Sequence, residues 1–328
     1  MKFTHLHVHS NYSFCRGANT IEQICAAARA KGFTHLALTD TNGLYGLGWF
    51  LQTARKYDLH PIIGAFLTTA DTHCVVLVKN YIGYKFLCRA ISKIHCQTEF
   101  DLKDYLVHHK QDVFILSNDT ALLLALKQQN QLEDVFAELV PHEKPHSLLN
   151  FARQHDIPVV ATNQVYCVSR QDFVTHRLLR AIDLNTTLER VPSSELASPK
   201  GSLATAEEMA ALLPNAPEAV ENSTKIARNC LTNLDFKHPI FPAYKSPNGK
   251  DVDSYLLEKV QEGILWRYGE MNVDIQKRLD YEMEIILEKK FAPYFLVVAE
   301  IVKKAPRTCG RGSAAASLVS YALGITHV

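Results

Sequence analysis

An α/β barrel followed by a mainly helical second half is the fold this sequence predicts, and three observations predict it. Short Val- and Ile-rich runs alternate with helical patterns from the start to about residue 185, the rhythm of repeated β–α units. A loop-rich stretch over 185–203, with Asn185-Thr186-Thr187, Pro192-Ser193-Ser194 and Ser198-Pro199-Lys200-Gly201-Ser202, then breaks the rhythm. Beyond it the apolar spacing is almost wholly helical.

The elements follow in order. Leu6-His7-Val8-His9 is the first strand candidate. Thr20 then stands at an N-cap with Gln23 at the capping-box position, Ile21, Ile24, Cys25 and Ala28 form an apolar stripe, and Gly32 is a natural stop. Strands are expected at 35–38, 61–64, 74–78, 113–116, 135–139 and 158–162. Helices are expected near 45–57, 82–94, 119–129, 144–154 and 171–183. Buried Val/Ile strands joined by helices imply a parallel sheet, here closed into a barrel. In the second half, helices are expected at 205–213, 216–230, 252–268 and 274–290, with a Pro-rich extended linker from Pro239 to Gly249.

Bulk composition narrows the function classes. Among 328 residues, 35 Lys and Arg nearly balance 34 Asp and Glu, so no global basic field announces nucleic acid and any such contact must be local. The eight cysteines include no C-x-x-C pair and read as reduced thiols. The opening residues form no signal-peptide core, and no run of about 18 apolar residues occurs. A soluble cytoplasmic protein without membrane contact is the expectation.

In a β/α barrel, chemistry collects at the C-terminal strand ends. The alternation His7-x-His9 points both imidazoles to one side, and Asp40, Phe66 and the 163–166 segment fall at other strand ends. His7, His9 and Asp40 could hold one divalent ion, Zn²⁺ or Mn²⁺, with His95 a possible fourth ligand. Equally, the histidines read as satisfied core groups. Near the end of the chain, Gly310-Arg311-Gly312-Ser313 precedes what reads as a small-residue helix. Such a turn can present backbone N–H groups, a helix dipole and a guanidinium to one anion; Arg307 lies near enough in sequence to join it. Tyr294-Phe295-Leu296 reads as core rather than a base-stacking platform. Lys289-Lys290 and Lys303-Lys304 read as solvated faces.

The stretch from His5 to Ser13, with Leu36-Ala37-Leu38-Thr39-Asp40 and Gly43-Leu44-Tyr45-Gly46, resembles the opening of a PHP (polymerase and histidinol phosphatase) domain. The residues 159–163 and the helix with Asp172 and His176 fit the same family. Leu213-Pro214-Asn215-Ala216-Pro217-Glu218-Ala219, Arg278-Leu279-Asp280-Tyr281-Glu282, Tyr294-Phe295-Leu296-Val297-Val298 and the 310–313 turn are similar to bacterial family C DNA polymerases, the polymerase III alpha subunit and its error-prone paralogue. Phe14-Cys15-Arg16-Gly17-Ala18 leans toward the paralogue. The resemblance covers essentially the whole chain. It implies a distorted PHP-type barrel over 1–190, a helical connector over 191–270 and the first part of a polymerase palm over 271–328.

The resemblance also implies roles. Gly310, Arg311, Gly312 and Ser313 would meet the triphosphate of an incoming dNTP, with Mg²⁺ held by carboxylates beyond Val328, so that this chain alone extends no primer. Primer-template DNA would be the substrate, a sliding clamp would bind through other regions, and the roles implied are DNA replication, repair or translesion synthesis. Metal-binding PHP domains use up to nine ligands around three metals, and this sequence departs from that set. Arg16, Thr41, Phe66, Gln164 and Tyr166 replace ligands, leaving His7, His9 and Asp40. Each lost anion leaves cation charge unneutralised, so the expectation is a structural PHP domain, with at most a single ion. Arg16 would then pair with Asp40. The alternatives are a metal-dependent PHP phosphoesterase or 3′–5′ exonuclease, and a non-catalytic scaffold of a lesion-bypass complex.

Overall fold

A computed structural model describes residues 2–234, 241–247, 249–305 and 307–327. Positions 239, 240 and 248 of the expected linker lie outside the described residues, as do Pro306 and Val328. The chain divides into two compact units, Met1–Leu234 and Asp235–Val328.

In the first unit, β1 (His35–Leu38), β2 (His60–Thr68), β3 (His73–Val78), β4 (Val113–Ser117), β5 (Val135–Leu139) and β6 (Val159–Ala161) form one sheet in that order. The sheet curls into a half-barrel. Its helices are α1 (Ile21–Ala30), α2 (Leu47–Lys56), α3 (Tyr81–Cys96), α4 (Leu102–His109), α5 (Thr120–Gln128), α6 (Pro145–Gln154), α7 (Phe173–Asp183), α8 (Ala206–Leu212) and α9 (Pro217–Arg228). Thr20 and Gln23 form the expected capping box, and Ile21, Ile24, Cys25 and Ala28 are the buried face of α1. The spacing over 102–109 goes unread in the sequence because its apolar stripe is short, yet Asp101 caps α4 by accepting from Asp104 N.

The sheet is mixed, which corrects the expectation of a parallel one. β1–β2, β4–β5 and β5–β6 are parallel, but β3 runs antiparallel to both β2 and β4. The cause is the connection between β2 and β3, a turn closed by Thr69 N–H donating to Thr72 O at 2.9 Å. A parallel crossover needs a dozen or more residues.

The expected first strand is extended but pairs as a single bridge, Val8 with Val165. Its backbone still bonds on both sides. His5 O accepts from Ala37 N (3.0 Å) and Val8 O from Thr39 N (2.8 Å); on the other side His9 N donates to Val165 O (2.8 Å) and Val165 N to His7 O (2.9 Å). The segment therefore ties β1 to the chain that follows β6.

Alternate strand residues face opposite ways. Leu36, Leu38, Ile63 and Val76 pack outward against helices, while Leu6, Ala37, Ile62, Val75, Leu77 and Val160 form an inner cluster. Ile226 and Ala227 of α9, with Cys230, complete that inner cluster. Helices α8 and α9 lie in the range read as connector, yet burial of those side chains makes α9 part of the first unit.

The second unit holds α10 (Val252–Tyr268), α11 (Val273–Glu288), α12 (Ala292–Lys303) and α13 (Leu318–Ala322). Leu256, Val260, Ile264, Leu279, Met283, Ile286, Leu296, Val319 and Ala322 are its core. Leu296 is core as expected, whereas Tyr294 is exposed. The 310–313 turn does not lead directly into an α-helix. A 3₁₀ turn over Ser313–Ala316 intervenes, and α13 starts afresh with Ser317 as its N-cap.

Gly83 sits where α3 meets the chain before β4, and a Cβ there would lie 2.0 Å from Asp112 O. Gly83→Ala is expected to destabilise the first unit by about 3 kcal/mol, since backbone cannot yield as a side chain does. Urea unfolding with an unshifted midpoint would show that this approach is looser than described.

Candidate functional site

Two sites stand out, one in each unit. In the first unit, His7 and His9 project together as the alternation predicts, their Nε2 atoms 3.0 Å apart. His7 Nδ1 lies 2.7 Å from Glu138 Oε1, which also accepts from Thr162 Oγ1 at 2.6 Å. His9 Nδ1 lies 2.9 Å from Ser13 Oγ. Asp40 accepts from Ser13 Oγ (2.6 Å), Ser10 N (2.7 Å) and Ser10 Oγ (2.8 Å). All of these side chains are buried.

Counting protons along the chain assigns its tautomers. With Asp40 ionised, the one Ser13 hydroxyl proton goes to Asp40, so Ser13 Oγ accepts from Thr41 N (3.1 Å) and from His9 Nδ1–H. His9 Nε2 is then bare and accepts from His7 Nε2–H.

Aromatic walls enclose the pair. Tyr166 stacks on His9 with ring centres 4.1 Å apart and 6° between planes, and Phe66 stacks on His7 at 4.9 Å. Burial, and then the charges of His7, Arg16 and His176, hold the His9 pKa well below its ordinary value. Burial raises Asp40, though its serine bonds oppose this, and pushes the Tyr166 phenol up to about 12.

Of the residues singled out from sequence, the fold brings together His7, His9, Asp40, Thr41, Phe66 and Tyr166. Arg16 does not pair with Asp40: among the described residues they form no ion pair, because Ser10 and Ser13 already meet both carboxylate oxygens. Arg16 instead offers its carbonyl to His176 Nδ1 at 2.6 Å. Gln164 adopts φ 45° and bonds to none of these groups. His95 stands apart, its Nε2–H donating to Asn42 O at 2.7 Å, which removes that nitrogen as a ligand. Among the described residues, no group of three or more His, Cys, Asp or Glu gathers in a metal-ligating arrangement.

Glu138 is absent from the sequence reading, although a carboxylate inside Val135–Leu139 signals a buried partner. His73 and Glu143 are absent too. The reversal of β3 brings His73 to this rim, where its Nε2 bonds Asn118 Oδ1 (2.7 Å), and Asn118 Nδ2 donates to Glu143 (2.9 Å).

In the second unit, Arg311, Gly312 and Ser313 are exposed and Gly310 is half-buried. Gly312 has φ +75°, a conformation open to glycine. A Cβ on Gly310 would lie 2.9 Å from the Ala315 Cβ and 3.2 Å from the Thr326 Cβ, so the turn folds back closely on itself. No described residue bonds the Arg311 guanidinium. The N–H groups of Leu318 and Val319 donate to Glu282 at 3.0 and 3.1 Å, and Ser317 Oγ does so at 2.7 Å.

The two units match two family models. Residues 5–140 match the PHP domain and residues 254–328 match the bacterial DNA polymerase III alpha NTPase domain. The whole chain aligns with the DNA polymerase III alpha subunit of Vibrio cholerae at 31% identity and that of Bacillus subtilis at 29%, covering 32% of each. It aligns likewise with the error-prone DNA polymerase of Symbiobacterium thermophilum at 30% identity, covering 35% of it. Among solved structures, an amidohydrolase from Chromobacterium violaceum overlaps 49% of this chain and 85% of its own at 13% identity and a TM-score of 0.32, too distant to bear on function. The chain thus joins a segment similar to a PHP domain to one similar to a polymerase III alpha NTPase domain. It is homologous along its entire length to the N-terminal region of bacterial DNA polymerase III alpha subunits, spanning about a third of the curated relatives it matches. No described helix is long and apolar enough to cross a membrane.

Two outcomes follow from the first site. Glu138→Ala strips His7 Nδ1 and Thr162 Oγ1 of their buried partner and is expected to cost about 3 kcal/mol of first-unit stability in urea unfolding. His5 is buried, its Nε2–H donating to Ala204 O at 2.8 Å, and burial lowers its pKa to about 4. The unfolded chain takes up that proton near pH 6.5, the folded chain only near 4. Stability is therefore complete above pH 6.5 and declines as pH falls toward 4, by about 3 kcal/mol from this residue. A pH series of unfolding midpoints on wild type and His5→Gln checks it: the variant's slope should be shallower.

Proposed function

We propose that this chain is the N-terminal part of a DNA-directed DNA polymerase that transfers nucleotides from dNTPs to a DNA 3′ end, replicative or error-prone. Gly310–Ser313 meets the triphosphate, with Arg311 as its cation, and primer-template DNA is the polymer substrate. A sliding clamp binds through other regions of the protein, and the protein works in the cytoplasm. The observation that carries the reading is the alignment of the whole chain with polymerase III alpha subunits, together with an exposed turn whose guanidinium has no partner among the described residues.

Two-metal nucleotidyl transfer needs carboxylates to hold Mg²⁺. We read the chain alone as not extending a primer. The first unit serves as a structural PHP domain without phosphoesterase activity. The residues at the strand ends do not fit a trinuclear centre. Arg16, Thr41, Phe66, Gln164 and Tyr166 offer no anionic ligand, Asp40 is committed to serines, and the His7 and His9 Nε2 atoms bond one another. A single Zn²⁺ or Mn²⁺ would have to break that bond.

The test is binding of dATP with Mg²⁺ to the 328-residue chain by calorimetry. Arg311→Ala is expected to weaken it about tenfold or more, the loss of one charge-assisted contact. Unchanged affinity in a folded variant would remove the turn's assignment. Metal-stimulated hydrolysis of a phosphate monoester, abolished by His9→Ala, would overturn the structural role of the first unit.

A further inference from the structure

Glu282 lies on the buried stripe of α11, with Leu279, Met283 and Ile286. A carboxylate there loses hydration and needs partners. It has four: Ser317 Oγ (2.7 Å), Leu318 N (3.0 Å), Val319 N (3.1 Å) and Arg278 Nε (2.6 Å). Burial opposes its ionisation, but the bonds from Ser317, Val319, Leu318 and Arg278 outweigh burial and hold its carboxyl below the usual range. The residues it grips begin four positions after Ser313 and are joined to the turn by the 3₁₀ segment Ser313–Ala316. That segment is stiffened at both ends. Ala315 N donates to Gly312 O at 3.1 Å and Ser317 N to Ala314 O at 3.3 Å, and Ala315 packs on Gly310.

We infer that Glu282 is a positioning residue for the nucleotide-binding turn: by clamping Ser317–Val319 it fixes the geometry in which Gly310–Ser313 presents its N–H groups and Arg311. The inference rests on the proposed role of that turn but reaches a residue outside it, on another helix. The same contact explains why the first N–H groups of α13 are not themselves the anion site. They already hold a carboxylate, which leaves the upstream turn, with its unbonded guanidinium, as the place for phosphate. Arg278 balances the charge of Glu282, so the clamp adds no net negative field beside an incoming triphosphate.

Two readouts on the 328-residue chain, with Glu282→Ala, Glu282→Gln and Ser317→Ala, test it. Hydrogen exchange by mass spectrometry should show amides over 310–319 exchanging about tenfold faster in Glu282→Ala while peptides of α10 are unchanged. Glu282→Gln, which keeps an acceptor, and Ser317→Ala, which removes one bond, should fall between. Affinity for dATP, measured well below the unfolding temperature, should drop about tenfold in Glu282→Ala and substantially less in Glu282→Gln. Unchanged exchange over 310–319 would overturn the inference whatever happens to binding. So would intact dATP affinity in a loosened Glu282→Ala turn. If exchange rises as expected but wild type binds no dATP, the clamp stands and the nucleotide reading of the turn falls.

Discussion

Everything in the first unit depends on one short stretch of backbone, His5 to His9, that is hydrogen-bonded along both edges. On one side it meets β1, on the other the chain after β6. A sheet whose end strands were left open would expose unpaired N–H and C=O groups; this segment satisfies them and sets the curl of the half-barrel. Its side chains inherit their places from that pairing. Leu6 enters the inner cluster, Val8 packs outward, and His7 and His9 reach the rim where the strands β5 and β1 deliver Glu138 and Asp40.

The rim so formed is polar and saturated. Each buried donor and acceptor from Asp40 through Ser13, His9 and His7 to Glu138 has a partner, and rings of Phe66 and Tyr166 take the volume around them. Saturation of this kind stiffens a network and raises the cost of removing any member. Within it, the carboxylates of Asp40 and Glu138 are met by protein groups. The second unit uses the same device. One buried carboxylate, Glu282, gathers three donors from the start of α13 and one from its own helix. In each unit buried acids organise chain distant in sequence: Asp40 and Glu138 in the first, Glu282 in the second.

Much of this was legible in the residues alone. Periodicity and capping placed α1 almost to the residue, and the strand runs 35–38 and 135–139 coincide with β1 and β5. The His7-x-His9 alternation correctly put two imidazoles side by side. What could not be read has a physical cause in each case. The direction of β3 is set by a turn, not by the composition of the strand, so a Val-rich run looked parallel. The Arg16–Asp40 pair was expected on charge, whereas nearer serines with better geometry fill the carboxylate. Glu138 and Glu282 carried a signal that periodicity arguments discard, an acid standing where the stripe demands an apolar residue.

The tie made by the His5–His9 segment has a consequence for how the first unit comes into being. Its partners lie far along the chain: Val165 bonds His7 and His9, and Ser223 Oγ accepts from Thr4 N at 3.0 Å. During synthesis its β1 edge can pair early, but its other edge waits until the chain after β6 and then α9 have emerged. Contacts of such separation slow folding, because loop closure is costly before the contacts form to offset it. The unit folds as one piece, late, and until then the residues around Leu6 and Val8 are a natural target for a chaperone.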